Sequence, residues 1–167
     1  SFQKKDSRIK IFKSKKNIGV GNHRNLALKM SNGTYLMYID CGDEVFSKNI
    51  DFIVNILKKK KYELIIANFT SEKTDHDCFK FKGKVLQHNN LIHQLLKETN
   101  IQFRTVCWRY IVLNSFLKKN SIRFTGTNRK MEDIEFVLGV ISYSKKILNL
   151  NKNLIKQNYN ENSLTEK

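Results

Sequence analysis

The chain has no proline, seven glycines and three cysteines in 167 residues, and 31 lysines and arginines outnumber its 15 acidic side chains. Each shortage removes a class of protein. There is no Gly/Ser-rich linker to mark a second domain, and 19.7 kDa is the size of one compact unit. The cysteines, Cys41, Cys78 and Cys107, are odd in number, widely spaced and never paired as C-x-x-C. That pattern excludes a zinc or redox motif and leaves free thiols. Nowhere does the chain approach the roughly 20 uninterrupted apolar residues of a membrane span. Its opening, Ser1-Phe2-Gln3-Lys4-Lys5-Asp6, has no apolar signal core behind it. We expect a cytoplasmic protein.

What is present suffices to fold. Hydrophobic residues make up 40% of the chain, with eleven Phe and the single Trp108, too apolar a composition for disorder. The shortage of acid leaves a formal net charge of +16, a field that attracts nucleic acid, anionic lipid or phosphorylated substrates. The lysines are scattered through several expected elements, at 15–16, 58–61, 80–84, 118–119 and 145–146, instead of gathering on one face. With no helix-turn-helix, zinc-finger or RNP-like motif beside them, no nucleic-acid partner is expected. Together with abundant Asn and Ile and the missing Pro, they read first as a compositional bias that solvates the surface. An anionic membrane surface is the second reading, since each nearby Lys or Arg gains about 1 kcal/mol there; it would place the protein peripherally on the inner face of the membrane.

Along the chain, 10–12 is a short strand candidate, and 22–30 has the Leu26 and Met30 spacing of a helix that Asn32-Gly33 would end. The apolar run 34–39 lacks helical period and suits a strand buried on both faces of a mainly parallel sheet, delivering Asp40 to its C-terminal end. Ser47 is placed to cap a helix whose Ile50, Ile53, Val54 and Leu57 share a face. Residues 63–69 read as a second buried strand. Periodicity fades over 70–90, where Phe79, Phe81 and Val85 alternate weakly. Leu91, Ile92, Leu95 and Leu96 share one helical face; 106–112 is apolar and ambiguous; 115–119 is one or two helical turns. Glu132-Asp133 opens a helix with Ile134, Val137, Leu138 and Ile141 inward and its acids at the positive end of the dipole. The tail 147–159 suggests one or two final strands, and 160–167 a frayed end.

Three stretches then fall in a telling order. Asn17-Ile18-Gly19-Val20-Gly21-Asn22-His23-Arg24-Asn25, then Asn32-Gly33-Thr34-Tyr35, then Tyr38-Ile39-Asp40-Cys41-Gly42-Asp43 resembles the central signature of family 2 glycosyltransferases with the GT-A fold. Trp108, the run Asn120-Ser121-Ile122-Arg123-Phe124, the run Met131-Glu132-Asp133-Ile134-Glu135-Phe136, and Tyr159 with Asn162-Ser163-Leu164-Thr165 resemble the later landmarks of that family in the same order. The resemblance implies a GT-A-like α/β fold, a mainly parallel sheet with helices on both faces, here lacking the first strands. It divides the single partial domain 1–167 into a remainder of the nucleotide-sugar part, 1–69, and an acceptor-side part, 70–167. Two departures stand out. Almost everything that the family carries before Asn17 is missing, which implies an N-terminally incomplete chain, inactive alone. Gly42 stands where the family usually has an aspartate.

The implied chemistry is transfer of a sugar from a nucleotide diphosphate to an acceptor hydroxyl with inversion, in bacterial surface polysaccharide, lipopolysaccharide or capsule synthesis. The leaving diphosphate needs its growing charge met by a divalent cation, Mn or Mg, on carboxylates at the sheet edge. Asp40 and Asp43 are the expected ligands, weakened by Gly42. By the same resemblance Asn17, Arg24, Asp40 and Asp43 bind the donor, a UDP-sugar, and a guanidinium suits its phosphates. Asp133 is the expected base for the acceptor hydroxyl, with Glu132 supporting it. Trp108 matches a landmark near the acceptor pocket, where a ring can stack on a saccharide or lipid-linked acceptor; on its own a lone Trp reads as core. The cluster Asp75-His76-Asp77-Cys78 mimics a metal site but reads as a polar loop, since adjacent ligands rarely close a tetrahedral shell, and His88 and His93 lack i, i+4 spacing. The alternative is a non-catalytic remnant or binding module of the same fold. Loss of the first strands would expose a sheet edge and apolar surface, from which a homodimer is expected.

Overall fold

A computed structural model describes residues 4–71, 75–76, 85–86, 92–93, 105–126 and 132–158. Its centre is two long strands, β3 (Leu64–Ser71) and β7 (Ile147–Gln157), which pair in parallel from Leu64 against Ile147 to Ser71 against Gln157. Glu63 sets their common start by accepting the backbone N–H groups of Lys145 and Lys146 at 2.6 and 3.0 Å. Six successive residues of β3, Leu64 to Phe69, are buried, so the strand is covered on both faces, as its apolar stretch Leu64 to Ala67 requires. Burial of each large aliphatic contributes about 1.5 to 3 kcal/mol.

Around this pair the sheet runs in the order β1 (Tyr35–Leu36), β6 (Tyr110–Leu113), β3, β7, β2 (Glu44–Val45), with β4 (Asp75–His76) on β3 and β5 (Val85–Leu86) on β7. Every pairing except that of β3 with β7 is antiparallel. The expectation of a mainly parallel sheet is corrected here: the α/β class holds, but only one strand pair among the described residues is parallel.

Alternation on β3 divides the core. Leu64 and Ile66 join Tyr110, Val112, Ile147 and helices α3 (Asn114–Lys119) and α4 (Glu132–Tyr143), through Phe116, Leu117, Phe136, Val137, Val140 and Ile141. Ile65, Ala67 and Phe69 face the other way, with Ile111, Leu148, Leu154 and Ile53 of helix α2 (Ser47–Lys59). Helices therefore cover both faces, as expected. On α4 the inward set is Phe136, Val137, Val140 and Ile141, while Ile134 and Leu138 are half-buried.

Several local expectations change. Residues 10–12 form no strand; Ile11 and Phe12 are about half exposed and have no ladder partner among the described residues. The buried strand expected over 34–39 shrinks to β1, a half-buried end strand paired on one side to β6. Helix α1 (Val20–Met30) ends at Ser31 in extended conformation, its hydroxyl donating to the Leu28 carbonyl at 2.7 Å, so Asn32-Gly33 is no left-handed cap. Ser47 is the first residue of α2, not its cap. The ambiguous stretch 106–112 resolves into a 3₁₀ turn, Cys107–Arg109, followed by β6. Phe79, Phe81, Cys78, His88, Tyr159 and 160–167 lie outside the described residues. Asp75 and His76 pair with β3 as a strand, and no group of three or more metal-ligating side chains occurs among the described residues.

Candidate active site

Helix α1 brings Arg24 to the centre of the site because its start is held tightly. Asn17 accepts the Gly19 N–H at 2.9 Å, and Gly19, with φ of 80°, turns the chain into the helix. Gly21 then lies so close to the segment 122–126 that an added Cβ would stand 2.8 Å from the Thr125 carbonyl. Asn25 acts on that segment as a strand would: its amide donates to the Phe124 carbonyl at 2.8 Å and accepts the Phe124 N–H at 2.9 Å. Asn22 adds bonds to the carbonyls of Ile18 and Gly126, at 2.7 and 3.0 Å.

Thus fixed, Arg24 meets three carboxylates from distant parts of the chain. Its Nη2 donates to Asp40 Oδ1 at 2.8 Å, and its Nη1 to Glu132 Oε1 at 3.1 Å and to Asp133 Oδ1. The backbone N–H of Cys107 donates to the other Asp133 oxygen at 2.9 Å. The guanidinium also lies over the Phe124 ring, 5.3 Å from its centroid. Phe124 stacks on Phe136, and Tyr38 meets both rings edge-on, building an aromatic floor. Burial opposes the Arg24 charge, but the Asp133 and Asp40 carboxylates beside it outweigh burial and hold its pKa above the usual arginine value. Burial first, and then Asp133, push the Cys107 thiol well up, so it stays protonated. The Asp40 side chain is 47% exposed against 12% for Glu132 and 18% for Asp133, so the cluster opens to solvent at its Asp40 end.

Asp40 and Asp43 belong to one turn, in which the Asp43 N–H donates to the Asp40 carbonyl at 3.3 Å. Gly42 has φ of 98°, which an aspartate would adopt only with strain, so its presence in the acidic cluster has a backbone cause. The end of β7 pins this turn: Asn158 donates its N–H to Asp43 Oδ1 at 3.3 Å and its amide to the Gly42 carbonyl at 2.8 Å. Burial, then the Asp40 charge, raise the Asp43 pKa above the usual carboxylate value, although the Asn158 N–H works the other way.

Of the expected site residues, the structure gathers Arg24, Asp40, Glu132 and Asp133, with Asp43 one turn from Asp40. Asn17 is exposed and spends its side-chain oxygen on the loop before α1. Trp108, expected near the acceptor, is 3% exposed and edge-on to Phe69 in the core cluster that also holds Ile53. Three residues of the site carried no sequence assignment, namely Tyr38, Cys107 and Phe124. Tyr38 and Phe124 stand within the quoted motifs, whereas Cys107 acts through its backbone and leaves no sequence signal.

The model of the family described as "Glycosyl transferase family 2" matches residues 1–118. The chain belongs to that family. The matched stretch holds Arg24 and Asp40 and stops before Glu132 and Asp133. Among curated proteins, "Uncharacterized glycosyltransferase EpsJ" of Bacillus subtilis (strain 168) is 24% identical over 169 residues, 99% of this chain and 49% of its own length. "Uncharacterized glycosyltransferase MJ1057" of Methanocaldococcus jannaschii is 26% identical over 154 residues, 72% of this chain and 53% of its own. The chain thus spans about half the length of these relatives. The fold is similar to that of S. aureus TarS 1-349 in complex with UDP-GlcNAc, with a TM-score of 0.75 and 19% identity, over 92% of this chain and 43% of that one. The complex of the same protein with UDP gives a TM-score of 0.68 at 19% identity, over 84% of this chain and 40% of that one. This likeness makes the fold GT-A-like.

Proposed function

We propose that Arg24, Asp40, Glu132 and Asp133 form the reaction centre of a transferase that moves a sugar from a UDP-sugar to an acceptor hydroxyl with inversion. The observation that carries it is the convergence on one guanidinium of the acidic turn after β1 and the acidic start of α4. The UDP and UDP-GlcNAc bound by TarS support the choice of donor. Asp133 takes the proton of the acceptor hydroxyl as its oxygen bonds to the anomeric carbon, while the bond from that carbon to the diphosphate oxygen breaks and UDP leaves. Glu132 shares Nη1 of Arg24 with Asp133 and fixes the orientation of the pair. The donor set fits a divalent cation, Mn or Mg: Asp40 is half exposed, and the raised pKa of Asp43 is what a nearby cation would relieve. Asp40 and Asp43 would hold it, and it would neutralise charge on the leaving group.

The acceptor in this reading is a saccharide or lipid-linked saccharide of a bacterial surface polysaccharide. The cytoplasmic face of the membrane, where the net charge of +16 favours anionic headgroups, is where the protein would meet it. No helix among the described residues is long and apolar enough to cross a membrane. The test measures UDP released from a panel of UDP-sugars with manganese and envelope-derived acceptors. Asp133→Asn should lower turnover by roughly 10²- to 10⁴-fold, the usual worth of a general base. Turnover unchanged in that variant removes Asp133 as the base, and none from the unaltered chain with any donor is what both the expectation of a chain inactive alone and the remnant reading give.

A further inference from the structure

The transfer reading leaves one feature of the site without a use: the proposed base is tied to a cation. Asp133 Oδ1 accepts from Arg24, and Oδ2 accepts from the Cys107 N–H. The same guanidinium reaches Asp40, the most exposed of its three carboxylates, through its other terminal nitrogen. Helix α1 has little freedom to carry Arg24 away, since Gly21, Asn22 and Asn25 hold it against 122–126. The side chain can turn while its helix stays.

We infer that Arg24 is a positioning residue that holds Asp133 until a diphosphate draws the guanidinium toward Asp40, so that donor binding releases the base. This rests on the transfer reading above. Two neighbouring phosphate groups match the forked donors of a guanidinium, and they enter from the Asp40 end because that is the open end of the cluster. A bond that the diphosphate takes from Nη1 of Arg24 is one that Asp133 and Glu132 lose, which frees Asp133 Oδ1 for the acceptor hydroxyl. The coupling runs both ways: whatever strengthens the grip of Asp133 on Arg24 weakens diphosphate binding by the same factor. The chain would therefore activate its acceptor only after the donor is in place.

A double-mutant cycle on the purified chain tests this, with calorimetry of UDP in the presence of manganese. Asp133→Asn removes one competitor for the guanidinium and should tighten UDP binding by about three- to tenfold. In an Arg24→Gln background the same substitution should change the affinity by less than about 1.5-fold, because no guanidinium remains to be released. Arg24→Lys serves as a second background, its single ammonium being unable to bridge three carboxylates. Equal tightening with and without Arg24 would mean that removal of negative charge alone explains the gain, and would overturn the inference. Wild-type affinity in Asp133→Asn overturns it too, whichever Arg24 variant folds. Failure of every protein to bind UDP with manganese instead overturns the transfer reading beneath it.

Discussion

Asp43 shows how a single side chain reports on the acidic turn. Burial and the neighbouring Asp40 charge raise its pKa in the folded chain above its unfolded value, so the fold disfavours the charged form. The resulting penalty is fully present above the folded pKa, shrinks as pH falls through it, and is gone below the unfolded value. Asp43→Asn, which keeps an oxygen for the Asn158 N–H, should therefore raise the melting temperature slightly at pH 7 and leave it unchanged near pH 3. A melting curve at each pH checks it; a gain that persists in acid would mean that the charge is not its source. Gly42 beside it was read from the sequence as a lost ligand. In the fold it is a left-handed residue in the turn that joins Asp40 to Asp43.

The seam between α1 and 122–126 is the element-scale device that aims Arg24. Asn25→Ala deletes both bonds to the Phe124 backbone and should cost about 1 to 3 kcal/mol, the penalty of leaving partly buried polar groups unmade. Gly21→Ala drives a methyl against the Thr125 carbonyl and should cost a similar amount, typically about 1 to 3 kcal/mol. Urea titration measures both, and a neutral result for either would show that α1 can shift without loss. The sequence made α2, α4 and β3 legible because each carries a long apolar period or run, and α1 through the spacing of Leu26 and Met30. It misjudged 34–39 because a short apolar stretch reads the same whether it lies at the centre of a sheet or as a two-residue strand at the end of its order. Parallel or antiparallel pairing was equally hidden, since partners distant in sequence decide it. The gathering of Asp40 with Glu132 and Asp133 came from family order and not from periodicity, whereas the burial of Trp108 agrees with the plain reading of a lone Trp as core.

At the scale of the whole molecule, the ends of the sheet order among the described residues are β1 and β2, each of two residues. Strands that short are poor templates for edge pairing, which weakens the ground on which a dimer was expected. Light scattering should accordingly find a monomer, and a stable dimer would direct attention to exposed apolar residues such as Met30 and Ile39 instead of the ladder edges. The site itself is a patch of three carboxylates around one arginine inside a molecule of net charge +16, an arrangement that lets the surface draw in an anionic donor while the carboxylates await a cation. A crystal of the chain grown with UDP and manganese tests this most directly, through the anomalous signal of the metal. The account predicts a manganese peak on Asp40 and Asp43 with the diphosphate in hydrogen-bond reach of Arg24; manganese elsewhere, or a diphosphate remote from Arg24, would contradict it.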